Sequence, residues 1–297
     1  MDALSCALLP ALCSLCGSPL PQLSTAPICK ACWSEFPPQS GFACERCGDT
    51  LDSPWSVPEQ ANSNHLVNAN FCRACRVAPP PFVRAVAYGL YQDRLKAAIH
   101  ALKYDRLHPT ARMLGQMLAQ AIARLAHEAP PEMLVVPIPL HRSKHAQRGF
   151  NQARALAVCA LESLRKTHPQ WRLTLAASTL MRHRATTSQA GLSSRQRRLN
   201  VRGAFAVSDT AVVDSKHVLV IDDIFTTGAT ARAAAQALVR AGAASVWVAT
   251  LARARRVSDH GYASAETVED NAGLSSYGAA AELQHERNHS SQDQPSF

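Results

Sequence analysis

The chain alternates between two hydrophobic periods. Val218, Leu219, Val220 and Ile221 make a continuous apolar run, rich in β-branched residues and too short for a helix, which predicts a strand buried on both faces. Residues 133–140 (MLVVPIPL) predict a second buried strand, residues 245–251 (SVWVATL) the last one and residues 204–207 a short one, while residues 82–91 alternate as a strand does. Between these runs the period lengthens. Leu95, Ile99 and Leu102 fall at helical spacing within residues 93–104, and Met113, Leu114, Met117, Leu118, Ile122 and Leu125 share one face of a helix over 109–126. A Met stripe of this kind reads as core, and Lys103 and Tyr104, at the end of the first helix, read first as a solvated helix terminus and second as residues that look into the site. Residues 150–166 and an Ala-rich segment closed by Gly242 predict two more helices. Strands alternating with helices predict an α/β fold, a mostly parallel sheet with helices on both faces.

That pattern is absent before residue 79, where cysteine takes over. Eight of the ten cysteines form four CxxC pairs: Cys13 and Cys16, Cys29 and Cys32, Cys44 and Cys47, Cys72 and Cys75. Each CxxC sets two sulfurs on one tight turn, and two such turns facing each other supply the four thiolates that zinc prefers. Two structural Zn2+ sites are predicted, paired either by neighbours (13/16 with 29/32, 44/47 with 72/75) or interleaved. Disulfides would need an oxidising compartment that nothing else in the chain supports. Four cysteines per ion leave no open position for a substrate, so the metal is structural and supplies the stability a core this small cannot. Cys6 and Cys159 are left over as buried thiols. Pro79, Pro80 and Pro81 then form a stiff connector.

At 297 residues the chain has room for one sizeable core plus a small satellite, with expected boundaries at 1–78, 79–256 and 257–297. The formal net charge is +9, yet residues 257–297 carry seven acids and one base, so the body is more basic than the total. A basic body favours anionic partners, whether a polyphosphate or nucleic acid. The tail is expected to be disordered. The apolar start carries Asp2, Pro10 and no preceding Lys or Arg, which argues against a signal peptide, and no run approaches the length of a membrane span. A cytoplasmic protein is expected.

The candidate chemistry sits after the central strand. Its run stops at Asp222 and Asp223, followed by Thr226, Thr227, Gly228, Ala229 and Thr230 and then by the helix. The first N–H groups of a helix lack internal partners and favour an anion, threonine hydroxyls add donors, and glycine lets the backbone approach closely. Ionised carboxylates repel a phosphate and only accept hydrogen bonds, so their natural target is a vicinal diol. The stretch VLVIDDIFTTGAT resembles the phosphoribosyl pyrophosphate (PRPP) motif of type I phosphoribosyltransferases. The resemblance implies that Asp222 and Asp223 are the catalytic acids on the ribose hydroxyls and that residues 226–230 hold the 5-phosphate. A second loop, HRSKHAQRGFNQ, follows the 133–140 strand; its counterpart in that fold binds pyrophosphate, which implies Arg142, Lys144 and Arg148 as donors.

Residues 182–200 (RHRATTSQAGLSSRQRRLN) are polar and basic and are not expected to pack as core. In the enzymes resembled, a flexible loop here closes over PRPP. The competing readings are a phosphate-backbone patch of Arg182, Arg184, Arg195, Arg197, Arg198 and Arg202, without aromatics to stack bases, and plain surface. Four CxxC knuckles, PPPF, IHALKY, PIPLHRSKHAQRGFNQ, TTSQAGLSSRQRRLNVRGAF and the PRPP-like motif, in this order, resemble the ComF family over residues 13 to about 253. That resemblance implies a double zinc ribbon joined to a phosphoribosyltransferase-fold domain, a role around competence for DNA uptake, and single-stranded DNA as a partner. If the protein is an enzyme, it displaces pyrophosphate from PRPP with Mg2+ and the basic loop stabilising the departing group. No general base for an acceptor stands out.

Overall fold

The computed structural model describes residues 12–20, 28–51, 70–104, 108–184 and 194–255. Its strands are β1 (Ala85–Leu90), β2 (Glu132–Pro137), β3 (Arg172–Leu175), β4 (Leu180–Arg182), β5 (Phe205–Val207), β6 (His217–Phe225) and β7 (Ser245–Arg253). Its helices are α1 (Lys30–Ser34), α2 (Arg73–Val77), α3 (Asp93–Tyr104), α4 (His108–Ala123), α5 (Arg142–Arg148), α6 (Gln152–Thr167), α7 (Ser194–Val201) and α8 (Ala229–Arg240). Five strands pair in parallel in the order β1-β7-β6-β2-β3, and β4 and β5 pair antiparallel in a sheet of their own.

Val218, Leu219, Val220 and Ile221 are fully buried at the centre of the sheet, as a run apolar on both faces requires. The two-residue period of the strand sorts them. Leu219 and Ile221 face the layer of α3, α4 and α6, whereas Val218 and Val220 face α8. The α4–α6 contact depends on Gly115, where a Cβ would come within 2.4 Å of the Cys159 Cβ. Chain direction sets the crevice: β2 leads outward to β3 while neighbouring β6 leads the other way to β7. A parallel sheet opens between carboxyl ends at such a reversal, and ligands bind there.

The cysteine-rich segment closes the edge strand β1. Gln39 N–H donates to the Tyr88 carbonyl at 2.6 Å, and Ala85 N–H donates to the Arg46 carbonyl at 2.8 Å, so backbone groups that an edge would leave open are paired. The Tyr88 hydroxyl donates to the Phe36 carbonyl at 2.7 Å. Cys13 and Cys32 pack with the α3–α4–α6 layer, and Cys44, Cys47 and Cys75 with the α8 layer. The segment therefore straddles the sheet.

Several expectations are corrected. The basic stretch after β2 is a helix, α5, because His141 caps it by accepting from Ser143 N–H and Gly149 ends it at φ 78°. Strand β6 does not stop at the acids but runs through them to Phe225. β3 and β4 were too short to show a period. Within residues 182–200, Arg182 belongs to β4 and residues 194–200 to α7, so both ends of that segment are structured; residues 185–193 and the tail after Arg255, where the lid and the disorder were expected, lie outside the described residues.

Candidate functional site

Asp222 and Asp223 adjoin near the end of β6, with Asp222 Oδ1 accepting from Asp223 N–H at 2.9 Å and the two carboxyls close enough to interact. Asp223 is buried on the α3 side, with its Oδ2 2.7 Å from Lys103 Nζ. Burial pushes the Asp223 carboxyl up, but the Lys103 ammonium, with Asp222 and Arg148, holds the group below its ordinary range; burial pulls Lys103 down, and Asp223 draws it above its own. Asp222 is half-buried. Burial first, then the neighbouring Asp223, pushes it well above the usual carboxylate range. Lys103 is thus not a solvated terminus but looks inward, as the counter-ion of Asp223.

Cations from three elements surround the pair. Arg182 of β4 lies 5.4 Å over the Phe205 ring, its charge disfavoured by burial and supported by Asp222. Burial lowers Lys144 of α5, and Arg182, Arg148 and Lys103 lower it further by like-charge repulsion. Asp223 in turn feels Arg148. Lys144, Arg148, Arg182 and Lys103 therefore share one field, while Arg142 is exposed at the start of α5. Arg184, one of the cations weighed as a phosphate-backbone patch, donates to the carbonyls of Asn200 at 2.9 Å and Arg202 at 2.8 Å and closes the end of α7.

The predicted phosphate loop spans β6 and α8. Gly228 caps α8 at φ 77°, where a Cβ would fall 2.6 Å from the Phe225 ring. No side chain of the cap residue closes the helix, and the Thr227 hydroxyl accepts from Ala229 N–H at 3.4 Å. Thr226, Thr227 and Thr230 are half-buried around this turn, and Ala229 is buried beneath it. Such a start is able to take an anion. Behind it stands Arg253, which sequence reading missed although it is the first of three cations, with Arg255 and Arg256, that end an apolar run. It is 1% exposed, its guanidinium lies 4.5 Å over the Phe225 ring, and it donates to the carbonyls of Phe225 at 3.0 Å and of Thr226.

The cysteines gather as Cys13, Cys16, Cys29 and Cys32 in one group and Cys44, Cys47, Cys72 and Cys75 in the other, the neighbour arrangement. Sulfur separations are 3.7 Å for Cys13–Cys32, Cys16–Cys29 and Cys47–Cys72. Four thiolates at zinc bond length on a tetrahedron lie about 3.8 Å apart, so the residues fit the ion. Uncompensated, thiols this close oppose one another's ionisation: Cys32 is pushed up to about 12 by burial and its neighbours. Zinc would supply the positive charge that lets all four ionise together, and a cross-link in place of a core.

Residues 153–281 match the phosphoribosyl transferase domain family and residues 4–76 the double zinc ribbon domain family. The chain is 34% identical over 246 residues to the DNA utilization protein YhgH of Escherichia coli K12, covering 82% of this chain and 97% of that one. It is 27% identical to Competence protein F of Haemophilus influenzae, over 76% of this chain and 90% of the relative. This chain belongs to the ComF family. Competence protein ComFC of Bacillus subtilis, 27% identical over 76% of this chain and 84% of its own, extends the ComF resemblance. A glutamine PRPP amidotransferase of Bacillus subtilis aligns with TM-score 0.30 and 23% identity over 48% of this chain and 26% of its own, too partial a likeness to add to the argument. The ComF chain thus joins a double zinc ribbon to a domain of the type I phosphoribosyltransferase fold. Among the described residues, no helix is long and apolar enough to cross a membrane.

Proposed function

We propose that the crevice between β2 and β6 binds PRPP together with Mg2+, and that it serves phosphoribosyl transfer with release of pyrophosphate. The 5-phosphate lies over the start of α8 on residues 226–230, the ribose hydroxyls meet Asp222, and the pyrophosphate lies among Lys144, Arg148 and Arg182, with Arg142 at the rim. One juxtaposition carries this reading: the strand that leads into the α8 start carries a half-buried carboxylate that feels Arg182, among cations from three elements. A sugar bearing anionic groups at both ends matches that order of charges.

Asp222 accepts from the diol once ionised, and Lys103 keeps Asp223 charged without leaving it exposed to the phosphates. Asp222 is also the carboxylate open to Mg2+, which commonly binds through one or two carboxylates plus substrate phosphates. When bound, Mg2+ neutralises charge on the leaving group. The acceptor is not named by the fold. The test is calorimetry with PRPP and Mg2+, followed by PRPP consumption and pyrophosphate release with a panel of nucleobases and amines; no heat above buffer controls sinks the site.

A second reading, handling of single-stranded DNA in cytoplasmic steps of DNA uptake or use, is favoured by the names of the relatives and by the cation field, which suits any phosphate ester. Here PRPP binding is regulatory or vestigial. Retention of labelled oligonucleotides across a salt series decides: phosphate contacts predict steep loss with salt, and unchanged binding contradicts them.

A further inference from the structure

Arg253 touches both the predicted phosphate loop and the second cysteine cluster. Its Nη1 donates to the carbonyls of Phe225, which leads into the loop, and of Thr226, the loop's first residue. Its Nη2 lies 3.1 Å from the Asp49 Oδ1 and 4.0 Å from the Cys47 Sγ. Asp49 is itself buried and belongs to the cluster's own turn, since its carbonyl accepts from Cys44 N–H at 2.7 Å. The guanidinium also stacks on Phe225, whose ring is the floor under Gly228 and meets Phe82 edge-on at 6.1 Å. One fully buried cation thus spans a sequence separation of 206 residues.

We infer that Arg253 is a positioning residue that couples metal occupancy of the Cys44/Cys47/Cys72/Cys75 cluster to the shape of the phosphate loop. The inference rests on the site reading above. A four-thiolate zinc centre carries net negative charge, and guanidinium contacts to the Cys47 sulfur and the flanking Asp49 carboxylate hold the arginine in one rotamer. In that rotamer the fork has two donors left for the Phe225 and Thr226 carbonyls. Loss of the metal repels and separates the thiolates, Asp49 moves with its turn, and the loop loses the clamp beneath it. Binding linkage is reciprocal: whatever orders the loop must also hold the metal more tightly. The first cluster is a built-in control. Arg94 contacts its Cys32 Sγ and pairs with Glu35, but reaches no residue of the loop.

The experiment follows zinc release from the full-length protein into a chromophoric chelator, with and without PRPP and Mg2+, alongside calorimetric PRPP affinity. In the wild-type protein PRPP slows release of one of the two zinc equivalents by about tenfold and leaves the other unchanged, within the usual range of coupling between sites. Asp49→Asn, which keeps the shape and removes the charge, reduces that protection to less than twofold and weakens PRPP binding about tenfold; Arg253→Lys does the same, because a single ammonium cannot bridge four acceptors. Arg94→Lys leaves the PRPP-dependent protection intact. Wild-type PRPP binding with identical release rates in both conditions overturns the coupling alone. Full protection retained in Asp49→Asn and Arg253→Lys overturns the assigned route. Absence of PRPP binding in the wild-type protein overturns the site reading and this inference together.

Discussion

Lys103 Nζ lies 2.7 Å from Asp223 Oδ2, tying the end of α3 to the strand that carries the acid pair. Both side chains are largely buried, so removing one partner leaves the other charge uncompensated. Asp223→Asn is expected to destabilise the protein by roughly 3 kcal/mol, measured by denaturant unfolding. The pH dependence has a definite sign. The Asp223 carboxyl is held low, so its contribution is present above the ordinary carboxylate range and is lost as pH falls through the lowered value. Lys103 is held high, so its share is lost only as pH rises through the raised value. The stability gap between wild type and Asp223→Asn should stay constant around neutrality and close in acid; a gap that widens in acid contradicts the pairing.

Asp222 is expected to behave oppositely. Its ionisation is opposed by burial and by Asp223, so charging it costs stability at neutral pH. Asp222→Asn should raise Tm by a few degrees while weakening PRPP binding at least tenfold. A variant that loses both stability and binding would place Asp222 in the packing rather than at the ligand.

Gly228→Ala tests the loop. The residue has φ 77°, and an added methyl would meet the Phe225 ring at 2.6 Å. The left-handed conformation alone costs about 1–2 kcal/mol, and the clash forces the ring off Arg253 or the loop off the ring. PRPP affinity is expected to fall at least tenfold while zinc content stays at wild-type level; unchanged affinity would remove the loop from the site.

Arg184→Ala separates fold from charge. Because Arg184 caps α7 through the Asn200 and Arg202 carbonyls, its loss should lower stability by about 1 kcal/mol. Arg182→Ala, which removes the cation facing Asp222, should instead weaken PRPP binding about tenfold, read by calorimetry at matched folded fraction.

Strong chelation should remove both metals and uncover β1, whose Tyr88 carbonyl and Ala85 N–H are paired with the cysteine-rich segment. The expected outcome is concentration-dependent aggregation rather than a soluble apo form, measured by light scattering. A monodisperse metal-free protein would show that the edge is protected in some other way.

The amino-acid order by itself determined the buried central strand, the α/β alternation, the thiolate pairs at zinc spacing and the position of an acid pair before a Gly- and Thr-rich turn. These are local properties, carried by periods of two and 3.6 residues and by spacings of three. Only the tertiary structure decided that CxxC neighbours close on each other, that Lys103 belongs to Asp223 and not to solvent, that Arg184 is a helix cap, and that Arg253 stands between the cysteine cluster and the turn. Each of these joins residues brought together by a crossover, by the β4–β5 pairing or by the segment folded over the sheet edge. A charged side chain reads as surface until its partner is known, and that partner is fixed by packing far away in the chain.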